Sequence, residues 1–194
     1  MSNCEKVQHI SKCLQLAIML EVSVEKPGNV SFVSSFEGTR VEHFLASAVA
    51  AGRSFQEAAY RGILVAEKRL AVGKVGLGEL IKTCSKDVAS WQRGGNTILG
   101  TIMLFMPIAV AAGMTPTNKD YIFDFSVLRR NIDTAVKASS AWDSFHLYEA
   151  VDVACPSGLG GAPDLDVTDP NSKERLLKEN VNLFEVFKIA SDYD

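Results

Sequence analysis

With 194 residues, 20 basic against 23 acidic side chains and a formal charge of −3, the chain is long enough to bury a core as one domain. Charges of both signs are interspersed, which argues against a nucleic-acid or membrane surface as the main partner, so a phosphorylated ligand would need a local cluster of donors. The cysteines Cys4, Cys13, Cys84 and Cys155 form no C-x-x-C pair, which excludes a zinc knuckle or dithiol motif and points to reduced, mostly buried thiols. The opening MSNCEKVQHISK lacks the charged and apolar regions of a signal peptide, and the expected location is cytoplasmic.

Ser2-x-x-Glu5 is a capping-box pattern, and Val7, Ile10, Leu14, Ala17, Glu21 and Val24 follow at spacings of three and four, which predicts a first helix of about five turns. Glu21 sets a carboxylate on that apolar stripe, either at the protein's edge or aimed into a site. In Glu25-Lys26-Pro27-Gly28-Asn29-Val30 the proline pushes Lys26 out of the helical region and Gly28-Asn29 tolerates left-handed angles, so the helix stops. The amides of Gly28 and Asn29 beside a lysine suit a phosphate, although an ordinary interhelical turn uses the same residues. Thr39-x-x-Glu42 predicts a helix from Val41 to Ala51, and Ser54-x-x-Glu57 another from Phe55 to about Ala71. His43 and Ser47 lie one turn apart on the first of these and share a face. Leu77, Leu80, Ile81, Cys84, Val88 and Trp91 mark a fourth helix, ended by Gly94-Gly95.

From Ile98 to Ala112 only Gly100, Thr101 and Pro107 interrupt an apolar run, which predicts a helix buried on all sides. At about 15 residues it is short for a bilayer. It begins in GGNT, where Asn96 or Thr97 can cap the first turn, and a helix start in a glycine turn offers unpaired amides and a positive dipole end to an anion. Gly94 as a plain helix stop, with Asn96 as a cap, is the other reading. Thr117-x-x-Asp120 predicts a helix to about Ala138, with Tyr121, Phe123 and Phe125 also compatible with a short strand. Ser140-x-x-Asp143 caps a helix from Ala141 to Ala154. Residues 156–171, PSGLGGAPDLDVTDPN, form a long loop in which Asp164, Asp166 and Asp169 could supply oxygen ligands to a divalent ion. A last amphipathic helix is expected from about Lys173 to Ala190. The expected fold is all-α, one helical bundle around a buried central helix at about 98–112.

Four co-linear motifs narrow this further: E-x4-KPGNVS at Glu21 to Ser31, EHFLASAVA at Glu42 to Ala50, GGNT-x2-G at Gly94 to Gly100, and ACPSGLGG at Ala154 to Gly161. Together they resemble the triphosphoribosyl-dephospho-CoA synthase family, in its archaeal-type branch. The resemblance implies an all-α fold and a transferase that joins ATP to 3′-dephospho-CoA with loss of adenine, giving the prosthetic-group precursor of a citrate or malonate lyase carrier subunit. Under it, Lys26, Pro27, Gly28 and Asn29 with Gly94, Gly95, Asn96 and Thr97 are expected to contact phosphate. Glu21 and His43 are the expected catalytic pair, Asp164 and Asp166 the ligands of a magnesium ion accompanying ATP, and a homo-oligomer is compatible. Two departures stand out: lyase-associated members carry an aspartate two positions after the histidine, where this chain has Leu45, and they continue through further C-terminal helices. Those departures leave open a family member acting on another phosphorylated cofactor precursor, or a non-catalytic nucleotide-binding helical protein.

Overall fold

The computed structural model describes residues 2–118 and 120–191. Among them are eight α-helices and, in place of any sheet, three isolated antiparallel bridges. The first helix, α1 (Asn3–Ser23), is opened by the expected capping box: Ser2 Oγ accepts from the Glu5 amide at 3.2 Å, and Glu5 returns an acceptor to the Ser2 amide at 2.7 Å. Its Ile10, Leu14, Ile18 and Val22 face the core. The second, α2 (Val41–Ala66), is one helix where the sequence predicts two. Ser54 does not cap anything; it is buried, with its hydroxyl toward Asp87 of the next helix at 3.4 Å. Ala48, Ala51, Phe55, Ala58 and Ala59 are buried around it, so α2 runs unbroken through the middle of the molecule between α1, α3 (Leu77–Trp91) and α4 (Leu99–Met114).

The helix α4 holds Pro107 without ending there and is buried along Ile102, Met106, Ala109 and Val110. Burial is incomplete, because one face carries Leu104 to solvent at 68% exposure. It runs parallel to α2, and the two backbones touch: a Cβ on Gly62 would overlap the Val110 carbonyl, and one on Gly113 would overlap that of Ala59. Lys6 of α1 closes the far end of α4 by donating to the Gly113 and Thr115 carbonyls, both at 2.7 Å, a cation at the negative end of the helix dipole.

The next helix, α5 (Phe125–Lys137), begins later than Thr117, because Asp124 is the residue that caps it, accepting from Ser126 at 2.8 Å and Val127 at 3.1 Å. Thr117 instead bridges to Phe123. Then α6 (Ala141–Ala154) starts at the predicted Ser140–Asp143 box, and its buried Asp143 also accepts from the Gly78 amide at 2.9 Å, docking α6 on the start of α3. The expected last helix is two: α7 (Ser172–Lys178) and α8 (Leu183–Ala190), separated where Asn180 takes φ +55° and Asn182 caps afresh. Cys84 alone among the cysteines is buried; Cys4, Cys13 and Cys155 are exposed, because they sit at helix ends and outer faces rather than on the α3 stripe. No helix among the described residues is long and apolar enough to cross a membrane.

Candidate functional site

The GGNT turn lies where the N-termini of the parallel helices α2 and α4 meet. Thr39, just before α2, donates its hydroxyl to the Gly94 carbonyl at 2.8 Å, and Ser47 on α2 pairs with the Thr97 hydroxyl at 2.7 Å. His43 packs its ring against Gly94, where a Cβ would collide with it. Its Nδ1 accepts from the Arg40 amide at 3.0 Å, so the neutral tautomer carries its proton on Nε2, which meets no acceptor among the described residues. The residue spacing that put His43 and Ser47 on one face therefore also put both on GGNT.

The turn itself is wrapped around Gln92. Its side chain accepts from the Gly94 amide and donates to the Gly95 carbonyl at 2.8 Å, while Gly95 holds φ +73°, a conformation that suits glycine. Asn96 Oδ1 accepts from the Leu99 amide at 3.1 Å and caps α4, as the sequence suggests. These bonds leave the amides of Gly95, Asn96 and Thr97 unclaimed by acceptors among the described residues, beside the positive ends of two helix dipoles. A cavity of about 290 Å³ opens here, with Arg93, Gly95, Asn96, Thr97 and Cys155 in its lining. Cys155 belongs to the ACPSGLGG motif, so three of the four motifs converge on this point.

The KPGN turn forms a separate cluster. Glu21 holds both Lys26, in an ion pair, and the Asn29 side chain, at 3.0 Å. Pro27 and Gly28 are exposed at the turn, with Gly28 at φ +73°, and the Asn29 amide closes it onto the Lys26 carbonyl at 3.3 Å. Of the two amides expected to be free, only that of Gly28 remains so. The chain continues through Ser31 into a small cavity shared with Arg40 and Glu42, which links the KPGN segment to the start of α2.

In the 156–171 loop the aspartates are already engaged. Asp164 pairs with Arg175 at 2.9 Å, and Asp166 accepts from the Ala162 and Thr168 amides and the Thr168 hydroxyl at 2.7 to 2.8 Å, bonds that hold its carboxyl below the ordinary range. Asp169 accepts from the Asn171 amide at 2.9 Å. As arranged, these carboxylates brace a loop and do not fit a cation site; among the described residues no three His, Cys, Asp or Glu side chains are grouped to hold a metal. Sequence reasoning missed Thr39, Gln92, Arg40 and Arg93. Arg93 was visible as the residue before GGNT, whereas the roles of Thr39 and Gln92 depend on a contact 55 residues away and on a turn conformation.

Fold and geometry thus define a helical protein with a turn of unclaimed amides built where two helix N-termini meet. The family described as CitG, ATP:dephospho-CoA triphosphoribosyl transferase, matches residues 7–194. The chain belongs to that family, and the match is to the family as a whole rather than to a branch within it. No curated protein and no solved structure matches significantly.

Proposed function

We propose that the chain transfers the triphosphoribosyl group of ATP to the 2′-hydroxyl of 3′-dephospho-CoA, releasing adenine, at the GGNT turn. The observation that carries this reading is the convergence of two parallel helix N-termini on a turn with three unclaimed amides, next to Arg93. A triphosphate needs several such donors at once. Arg40, at the cap of α2, and Lys26 add cations on the KPGN side, with Glu21 and Asn29 setting the position of Lys26.

In the reaction the bond from C1′ of the ATP ribose to adenine breaks, and a bond from C1′ to the acceptor oxygen forms. The hydroxyl proton goes to the departing adenine, which gains it where the carbon was lost. The centre between these events is oxocarbenium-like, so the chain's task is to fix the triphosphate and to stabilise charge as it develops. His43, a donor at Nε2 held in place by the Arg40 amide, is suited to a phosphate oxygen or to the departing base, whereas Glu21, paired with Lys26 in the KPGN cluster, serves to position that cation. Magnesium would come with ATP, bound mainly by phosphate oxygens; no step is assigned to Asp164 or Asp166.

Incubating the protein with magnesium-ATP and dephospho-CoA and following adenine by chromatography tests the reading. Adenine is expected only when both substrates are present, and Thr97→Val is expected to reduce the rate by ~10-fold, the loss of one neutral hydrogen bond. No adenine from the wild-type protein overturns it.

A further inference from the structure

A second cavity, of about 610 Å³, lies between α4, α6, α8 and the glycine-rich loop, and shares Asn96 and Leu99 with the cavity at the GGNT turn. Its walls are Leu99 and Met103 of α4, Val151 of α6, Phe187 of α8 and Leu159 of the loop, in the size range of cavities that hold drug-sized ligands. Charge decides what it can hold. Among the described residues its lining includes no lysine, arginine or histidine, and the one carboxylate among them, Asp164, pairs with Arg175. A triphosphate would enter it without a single cation and against a carboxylate, which is strongly unfavourable away from water.

An uncharged chain of methyl and methylene groups with a few amides fits instead. The aliphatic walls take the hydrocarbon, and the backbone of the loop supplies donors and acceptors for the amides. Building on the transferase reading, we infer that this cleft seats the pantetheine arm of dephospho-CoA, while the polar cavity on the other side of Asn96 receives ATP. The arm lies in the apolar cleft and the acceptor ribose is left at the junction, beside GGNT. Leu159, 47% exposed on the loop, is the side chain that covers the arm, and Phe187 forms the opposite wall.

The assignment separates the two substrates by mutation. ADP is dephospho-CoA without the arm, so the wild-type protein is expected to bind dephospho-CoA at least ~10-fold more tightly than ADP, the scale of modest apolar burial. Leu159→Asp, on an exposed loop position, and Phe187→Ala are each expected to remove most of that preference and to raise the KM for dephospho-CoA ~10-fold. The KM for ATP should stay within about twofold, and circular dichroism should stay unchanged. Calorimetry with dephospho-CoA and with ADP, on wild type and both variants saturated with an unreactive carbocyclic analogue of magnesium-ATP so that ADP cannot occupy the GGNT cavity, reads the effect. Equal loss of affinity for both ligands, or none for either, overturns the cleft assignment while adenine release by the wild type keeps the transferase reading. Wild type that binds ADP and dephospho-CoA equally overturns the assignment as well. A wild-type protein that binds neither and releases no adenine overturns both.

Discussion

Gly94→Ala is a test of the packing that ties α2 to the GGNT turn. Gly94 is buried and its φ is not positive, so the cost of a methyl group there is steric and comes from the His43 ring that its Cβ would overlap. To make room the ring must swing, and swinging breaks the 3.0 Å bond from the Arg40 amide to Nδ1 that finishes the start of α2. Losing a capping acceptor costs about 0.5–2 kcal/mol, and forcing a methyl into a packed site about 1–3 kcal/mol. His43 is only half-buried and can relax outward, so the lower half of the combined range, about 2 kcal/mol, is expected. For a chain of this length that lowers Tm by roughly 4–8 °C. The same substitution in a His43→Ala background meets no ring. There only the Cβ of residue 43, 2.8 Å from the added methyl, still crowds it, so the cost should fall to about half, which gives a coupling energy of about 1 kcal/mol in a double-mutant cycle read by urea denaturation. Equal costs in the two backgrounds would refute the argument that His43 and Gly94 form one packed unit.

Lys26→Ala should weaken magnesium-ATP binding by about 1.5–3 kcal/mol in calorimetry, the worth of a charge-assisted bond. Its ion pair with Glu21 is part-exposed and should contribute under about 1 kcal/mol to stability, so unchanged ATP affinity removes the KPGN turn from the site. Burial pushes the Cys84 thiol from 9.0 up to about 12, so the folded protein keeps a proton that the unfolded chain loses above pH 9. Stability from this group is therefore intact below pH 9 and falls between 9 and 12, by on the order of 1 kcal/mol at pH 10; Cys84→Ala should show a shallower decline in urea unfolding across that window. An identical slope in the variant refutes it. In the native protein at pH 8, a thiol reagent should modify Cys4, Cys13 and Cys155 and spare Cys84.

Helix ends fixed by reciprocal local bonds, at Ser2 with Glu5 and at Ser140 with Asp143, were legible in the sequence because the partners lie three residues apart. The same pattern misled at Ser54 and Glu57, where Ser54 faces α3 and alanine packing on every side carries the helix past it. At Thr39 the pattern placed the start of α2 at Val41 correctly, although the Thr39 hydroxyl serves Gly94 instead of a helix amide. The apolar run of α4 announced a helix but could not say which side would lack a neighbour, so Leu104 came as an exposed residue. Motif order pointed to His43, Gly94 and Thr97 as members of one site. It did not separate that cluster from Glu21, Lys26 and Asn29, because the path of the 30–40 segment is set by tertiary contacts.

The glycine contact between α2 and α4 gives the two helices the form of a pair of tongs. Their tips are Ser47 and Thr97, and they are clamped at Gly62 and Gly113. Clamp and tip are separated by about 22 Å of α2, roughly four turns of stiff helix, so a methyl group that spreads the clamp is felt at the tips. Near reacting atoms a ~1 Å displacement can cost ~100-fold in rate. Substitutions at Gly62 or Gly113 would then register as lost chemistry although neither residue approaches a substrate, and the tolerance of the reaction would be set at the far end of the molecule.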